Sequence, residues 1–131
     1  MRESKYKSVL LVDDSYIDNL ITRKVIENNN FAEKVTVLHS PSEAIRHVKS
    51  YMLEREEMPE VIFLDIRMPE MTGFDFLKEL NLLEGFSDLK IKIYMLSSSL
   101  DPIDQRKIRE NELVERFISK PLSNKALQEI E

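Results

Sequence analysis

Five short apolar runs recur along the chain, and helical patterns fill the segments between them. The runs cover residues 9–12, 35–38, 61–64, 91–96 and 116–118. This alternation predicts an α/β fold built on a mostly parallel sheet. The first and third runs are apolar at every position, which is typical of central strands that helices cover on both faces.

Residues that favour helix starts precede four of the five helical patterns. They are Ser40, Thr72, Asp101 and Ser123. Ser40 is followed by Pro41 and Glu43, which is the pattern of a capping box with proline at the first helical position. The fourth helix is mostly polar and offers only Ile103 and Ile108 for packing, so we expect its attachment to the sheet to be the weakest.

The first helical pattern follows the first strand closely. Its apolar residues Ile17, Leu20, Ile21 and Val25 are spaced so that they fall on one face of a helix. We therefore expect this stripe to pack against the sheet.

Composition excludes several classes of protein. A chain of 131 residues suits one compact domain, and the absence of cysteine excludes a disulfide scaffold or a zinc-thiolate module. The apolar runs are far shorter than the roughly 20 residues that cross a bilayer, and the N-terminus shows no signal-peptide pattern. We expect a cytoplasmic protein without membrane insertion.

Charge and glycine content narrow the choice further. The net charge of −5 disfavours direct nucleic-acid binding, which normally requires a basic surface. Gly73 and Gly85 are the only glycines, so neither a dinucleotide-binding glycine turn nor a glycine-rich phosphate loop can be present. Any phosphate chemistry must therefore depend on side chains and ordinary helix N-termini.

Polar side chains follow four of the predicted strands, at the point where each strand ends. They are Asp13 and Asp14 after the first, Asp65 after the third, Ser97, Ser98 and Ser99 after the fourth, and Ser119 and Lys120 after the fifth. Open parallel sheets bind ligands beyond the carboxyl ends of their strands, so we expect these groups to converge. Carboxylates, a hydroxyl and an ammonium group all serve phosphoryl chemistry.

Three carboxylates in one site require a cation. Two carboxylates about 4 Å apart repel by roughly 4 kcal/mol at an effective dielectric constant near 20. Mg2+ accepts oxygen ligands and binds through one or two carboxylates together with a phosphate oxygen. A remaining carboxylate could then attack phosphorus and form an acyl phosphate, while Lys120 and Ser97 neutralise charge on the transferred group.

Four short motifs occur in a fixed order along the chain. They read LVDDS at 11–15, LDIRMPEMTG at 64–73, MLSSS at 95–99 and SKP at 119–121. This set resembles the receiver domain of two-component response regulators, over essentially the whole chain. The resemblance implies a doubly wound, flavodoxin-like (βα)5 fold with a five-stranded parallel sheet of order 2-1-3-4-5. It also implies a single receiver domain over residues 1–131, with no output domain.

The resemblance implies roles for the acidic residues. Asp65 would be the phosphoacceptor. Asp13 and Asp14 would form the acid pair that holds Mg2+ (or Mn2+), together with Asp65 and the backbone carbonyl of Arg67. Asp14 is the expected direct ligand of the pair.

The resemblance also implies the partners of the phosphoryl group and the switch residues. Ser97 would donate a hydrogen bond to one phosphoryl oxygen, Lys120 would pair with another, and the Lys120–Pro121 bond would be cis. Ser97 and Phe117 would be the switch residues. Phe117 occupies the aromatic switch position, where many relatives have Tyr. Residues 110–115 lack the glycine that relatives often carry, so the turn before the fifth strand could be built differently, and Asn111 can take a left-handed conformation in its place.

The implied function is that of a signalling switch which catalyses only its own phosphorylation and dephosphorylation. A sensor histidine kinase or phosphotransfer protein would phosphorylate Asp65. The new charge would alter a face formed by the fourth helix, fifth strand and last helix, which binds an unknown downstream protein.

Two alternatives remain at this point. A haloacid-dehalogenase-type phosphatase would also use a strand-end Asp, a Ser or Thr, a Lys and Mg2+. It would place its nucleophile on the first strand with a second Asp two residues later, where this chain has Ser15. The other alternative is an unphosphorylated receiver-like interaction module.

Overall fold

A computed structural model describes residues 4–54, 58–98 and 101–130. The strands are β1 (Tyr6–Val12), β2 (Ala32–Leu38), β3 (Val61–Asp65), β4 (Lys92–Ser97) and β5 (Val114–Ser119). The helices are α1 (Tyr16–Asn28), α2 (Pro41–Glu54), α3 (Gly73–Leu82), α4 (Pro102–Glu110) and α5 (Asn124–Glu129), with a short 3-10 helix at Ser87–Leu89. Within these ranges, no helix has both the length and the apolar character needed to span a membrane.

All five strands pair in parallel in the order β2-β1-β3-β4-β5, which confirms the predicted doubly wound, flavodoxin-like fold. Helices cover both faces of the sheet. One core lies under α2, α3 and α4 and includes Val48, Leu77 and Ile108. The other lies under α1 and α5 and includes Ile26 and Leu127. The fully buried β1 and β3 segments occupy the centre, as their continuous apolar runs predict.

The predicted helix starts are confirmed. Side-chain oxygens of Thr72, Asp101 and Ser123 accept backbone N–H bonds at the starts of α3, α4 and α5. Ser40 accepts the N–H of Glu43 at 3.4 Å at the start of α2. These caps place four helices directly after the carboxyl ends of the strands or the loops that follow them.

Helix α1 packs on a different face from the predicted one. Ile17 is 70% exposed and Leu20 is 57% exposed, so the expectation that the apolar stripe faces the sheet is wrong for these residues, although Val25 at the end of the stripe packs against the core. The buried residues are Asn19, Thr22 and Ile26, which are three and four positions apart and share one face. Asn19 is buried because its amide donates to the backbone carbonyl of the residue after β1, a requirement that hydrophobic periodicity does not reveal.

Helix α4 has a single apolar anchor. Ile108 is buried, but Ile103 is 64% exposed, so only half of the expected packing is present. Asp104 is buried instead, because it lies four residues before Ile108 and therefore shares the face that meets the sheet. Its carboxylate pairs with the guanidinium of Arg67, in the loop after β3.

The turn before β5 forms without a left-handed residue. Asn111 has φ −91° and ψ 114°, so it does not take the left-handed conformation that asparagine allows. Its side-chain oxygen accepts the backbone N–H of Leu113 at 3.0 Å. This Asx-type turn reverses the chain without requiring positive φ, which explains why no glycine is needed here.

Candidate functional site

Three carboxylates meet where β1 and β3 end. Asp13 and Asp14 follow β1 directly, and Asp65 is the last residue of β3. The two strands are neighbours, with Val12 opposite Leu64, so the residues beyond them lie side by side. One carboxylate oxygen from each of the three residues lies within 4.8 Å of the other two. Asp13 and Asp65 are buried, whereas Asp14 is exposed.

The ammonium group of Lys120 reaches this cluster from the loop after β5. Its Nζ lies 2.7 Å from Asp13 Oδ2 and 3.1 Å from Asp65 Oδ1. The backbone N–H of Lys120 donates to the carbonyl oxygen of Ser97, the last residue of β4, at 2.9 Å. The Lys120–Pro121 peptide bond is cis, as the resemblance implies. The loop is thereby fixed against β4 while its lysine contacts acids that follow two other strands.

The cluster places a buried acid with a raised pKa beside a lysine that the neighbouring carboxylates keep charged. Burial, followed by the charge of Asp13, raises the pKa of Asp65 from 3.8 to about 6, although Lys120 and the backbone N–H of Arg67 oppose this shift. Burial alone lowers the pKa of Lys120. Its hydrogen bonds to Asp13 and Asp18 and the charge of Asp65 outweigh burial and raise the pKa above its usual range. A divalent cation would favour the ionised form of Asp65.

Ser97 and Phe117 lie in the neighbouring strands β4 and β5. Ser97 is buried at the end of β4. Phe117 is half-buried in β5, opposite Met95, and packs against the core under α4. The function of the Ser97 hydroxyl toward a phosphoryl group and the role of Phe117 as a switch stay predictions. Ser99 lies outside the described residues.

Arg67 contacts the cluster through its backbone N–H, which bonds to the Asp65 carboxylate. Its side chain turns to α4 and pairs with Asp104, and the Arg67 side chain itself is 58% exposed. The backbone carbonyl of Arg67 as a metal ligand stays a prediction. The observed contacts nevertheless connect the predicted phosphoacceptor to α4 through a single residue.

The family model of the response regulator receiver domain matches residues 9–130 of this chain. The chain belongs to this family. A match of that length covers the whole sheet except the first residues of β1, and it includes every residue of the acidic cluster.

Individual relatives agree with this assignment. The chain is 34% identical over 114 residues to protein-glutamate methylesterase/protein-glutamine glutaminase 3 of Burkholderia thailandensis, but it spans only 29% of that protein. It is 32% identical to two-component response regulator ORR3 of Oryza sativa subsp. indica and spans 79% of it. A solved two-component response regulator from Cytophaga hutchinsonii superposes with a TM-score of 0.88 at 30% identity, covering 98% of this chain and 95% of that one.

The acidic cluster of this receiver domain fits a hard divalent cation. Here three carboxylates converge within 4.8 Å, and oxygen donors of this kind are the ligands that Mg2+ and Mn2+ prefer. Asp14 is the exposed member of the three.

Asp18, in the first turn of α1, also belongs to the site, although the sequence pattern did not predict it. Its Oδ2 lies 2.8 Å from Lys120 Nζ, so the lysine contacts a third carboxylate. Ser15 caps α1 by accepting the backbone N–H of Asp18 at 3.2 Å. Residues 15–18 read Ser-Tyr-Ile-Asp and match the capping pattern that starts a helix, a signal that would have placed Asp18 in the first turn of α1.

Asn19 and His39, which the sequence pattern also did not predict, hold the backbone of the acid pair in place. The buried Asn19 donates through Nδ2 to the Asp13 carbonyl at 2.8 Å and contacts His39 Nδ1 at 3.2 Å. The His39 ring stacks on Tyr16, with ring centroids 5.1 Å apart. These contacts fix the loop after β1 to α1 and to the residue that follows β2. They also explain why α1 buries a polar residue.

The loop after β3 is held at two points. Gly73 donates its N–H to the carbonyl of Ile66 at 2.8 Å, and a Cβ at Gly73 would lie 2.7 Å from the backbone oxygen of Asp65. Only glycine permits this close approach. The Glu70 carboxylate accepts hydrogen bonds from the hydroxyls of Ser42 and Ser40, which lower its pKa and attach the loop to the start of α2.

Proposed function

We propose that Asp65 accepts a phosphoryl group from a sensor histidine kinase or a phosphotransfer protein. The observation that carries this proposal is the contact of Asp65 with Lys120 Nζ at 3.1 Å, within 4.8 Å of the Asp13 and Asp14 carboxylates. A carboxylate in this setting has a cation on one side and a metal-binding acid pair on the other. Membership of the receiver family supports the same role.

The chemistry assigns a separate task to each group. An oxygen of Asp65 attacks the phosphorus atom, a new P–O bond forms, and the bond from phosphorus to the donor breaks, with its electron pair leaving on the donor. Lys120 pairs with one phosphoryl oxygen and the Ser97 hydroxyl donates to another. When bound, Mg2+ (or Mn2+) neutralises negative charge, and Asp13, Asp14, Asp65 and the Arg67 carbonyl would hold it.

Transfer to Asp65 would alter a protein-binding face formed by α4, β5 and α5. Helix α4 is a suitable mobile element because it rests on Ile108 and on the Asp104–Arg67 pair, and because Ile103 is exposed. A cavity of about 580 Å3 between α4 and β5, lined in part by Phe117 and Ile108, provides room for rearrangement. We propose a cytoplasmic switch whose downstream partner is a protein, without direct nucleic-acid binding.

Incubation with acetyl phosphate and Mg2+ tests the proposal. We expect intact-protein mass spectrometry to show one added phosphoryl group, which hydroxylamine removes because it is an acyl phosphate. Asp65→Asn should abolish the modification. The matched variant Asp88→Asn removes an exposed aspartate in the 3-10 helix, outside the acidic cluster, and should be modified normally.

The same experiment separates the remaining alternatives. Phosphorylation that persists in Asp65→Asn would contradict the assignment, and an unmodified wild-type protein would favour an interaction module that is not phosphorylated. Sustained release of phosphate from small esters would be required for a haloacid-dehalogenase-type phosphatase. Neither the family match nor the relatives support that alternative.

A further inference from the structure

The ammonium group of Lys120 is shared among three carboxylates. Its Nζ lies 2.7 Å from Asp13 Oδ2, 2.8 Å from Asp18 Oδ2 and 3.1 Å from Asp65 Oδ1. An ammonium group has three N–H donors, so these three acceptors use all of them. The two shorter contacts are made to residues other than the proposed phosphoacceptor.

Asp18 holds the lysine from the solvent side. Its side chain is 39% exposed, whereas those of Lys120 and Asp13 are 11% and 1% exposed. The bond from Asp18 N–H to Ser15 Oγ fixes its backbone in the first turn of α1. Among the described residues, the three carboxylates that could share a metal ion do not include Asp18. Its carboxylate is therefore directed at the lysine and not at the metal-binding cluster.

A phosphoryl group on Asp65 would add acceptors for the N–H groups of Lys120. It adds about 1.5 to 2 negative charges and three acceptor oxygens near the Asp65 carboxylate. Asp18 Oδ2 and Asp65 Oδ1 lie 2.8 Å and 3.1 Å from the same atom, Lys120 Nζ. These two carboxylate oxygens are therefore close to each other. Asp18 thus repels the incoming group and keeps one of the N–H donors that could serve it.

We propose that Asp18 is a positioning residue which holds Lys120 toward α1 and competes with the phosphoryl oxygens for its ammonium group. Its presence lowers the affinity of the site for a phosphoryl group. The inference rests on the proposed role of Asp65 as phosphoacceptor and adds a residue that sets how strongly the phosphorylated state is favoured.

Opposite shifts in two affinities test this inference. Beryllofluoride serves as the phosphoryl mimic at saturating Mg2+, and Mg2+ alone is titrated separately, both by isothermal titration calorimetry. We expect Asp18→Asn to bind beryllofluoride about fivefold more tightly, which corresponds to the loss of one partly exposed charge interaction. The same variant should bind Mg2+ about two- to threefold more weakly, since the cluster loses a nearby negative charge and Lys120 turns fully to Asp13 and Asp65.

Matched variants separate positioning from general effects. Glu43→Gln removes the same charge from the first turn of α2, where the side chain is exposed, and should change both affinities by less than twofold. Asp18→Glu keeps the carboxylate and should return both affinities toward those of wild type. The 15N resonance of the Lys120 ammonium group should shift in Asp18→Asn and not in Glu43→Gln.

Each other outcome overturns a specific statement. If wild type does not bind beryllofluoride, the proposed function of Asp65 fails. If wild type binds it and Asp18→Asn behaves like Glu43→Gln, Asp18 does not position Lys120. If Asp18→Asn weakens both affinities, Asp18 helps the lysine to engage the phosphoryl group, or supports the fold, and does not compete with that group.

Discussion

Substitution of Asp65 by asparagine should stabilise the protein at neutral pH in the absence of divalent cations. The pKa of Asp65 is raised from 3.8 to about 6, mainly by burial and then by the charge of Asp13. The difference corresponds to about 3 kcal/mol of unfavourable free energy when the folded protein holds this group ionised. Asp65→Asn removes that charge with little change in shape, so we expect the free energy of unfolding at pH 7.5 to rise by up to about 3 kcal/mol.

The sign of the pH dependence follows from the raised pKa. Between pH 3.8 and about 6 the folded protein binds the Asp65 proton more tightly than the unfolded chain does, so wild-type stability falls as pH rises through this range. The advantage of Asp65→Asn should therefore be full above pH 6 and should fall below about 1 kcal/mol at pH 4.

Urea denaturation followed by circular dichroism, in EDTA at pH 7.5 and pH 4, measures this difference. At pH 7.5 the melting temperature of Asp65→Asn should also exceed that of wild type by about 10 °C. The exposed control Asp88→Asn should change stability by less than about 0.5 kcal/mol at either pH. Equal stability of Asp65→Asn and wild type at pH 7.5, or a gain that is the same at pH 4, would refute the reasoning.

Three further substitutions test particular contacts by the same denaturation assay. Gly73→Ala should destabilise the protein by about 2–3 kcal/mol, because the new Cβ would lie 2.7 Å from the backbone oxygen of Asp65; a loss below about 0.5 kcal/mol would contradict this contact. Arg67→Ala should cost about 1–3 kcal/mol and speed amide exchange in α4, because it leaves the buried Asp104 carboxylate without its guanidinium; adding Asp104→Asn should recover part of the loss. Ile17→Ser should change stability by less than about 0.5 kcal/mol, since Ile17 is 70% exposed, and a loss of 2 kcal/mol or more would show that the stripe on α1 is buried after all.

The sheet order and the helix starts could be predicted because they depend on short-range signals. The continuous apolar segments of β1 and β3 indicate central strands, and Thr72 and Ser123 act as caps through bonds to residues only three positions away. The resemblance of the four motifs then supplies the strand order, which apolar runs alone leave open. Predictions of this kind need no knowledge of which side chains meet across the molecule.

The packing of α1 and α4 could not be predicted in the same way, because polar residues compete for the buried face. Periodicity places Ile17 inside and treats Asn19 as a solvent-facing residue. The structure reverses this, since the Asn19 amide donates to the Asp13 carbonyl and a buried carbonyl needs a donor. Asp104 displaces Ile103 for a similar reason, because its partner Arg67 lies 37 residues away in the chain.

The candidate site likewise contains residues that the sequence predicts and one that it does not. The acids that follow β1 and β3 and the lysine after β5 are predictable, because parallel strands bring their carboxyl ends to one edge. Asp18 differs from them because it comes from a helix and is separated from Lys120 by 102 positions. Its place in the site depends on how α1 is rotated about its axis, and in this rotation the helix buries Asn19, Thr22 and Ile26. An error in the predicted buried face of α1 and the omission of Asp18 are therefore one error, since a helix that buried Ile17 and Leu20 would carry Asp18 away from the lysine.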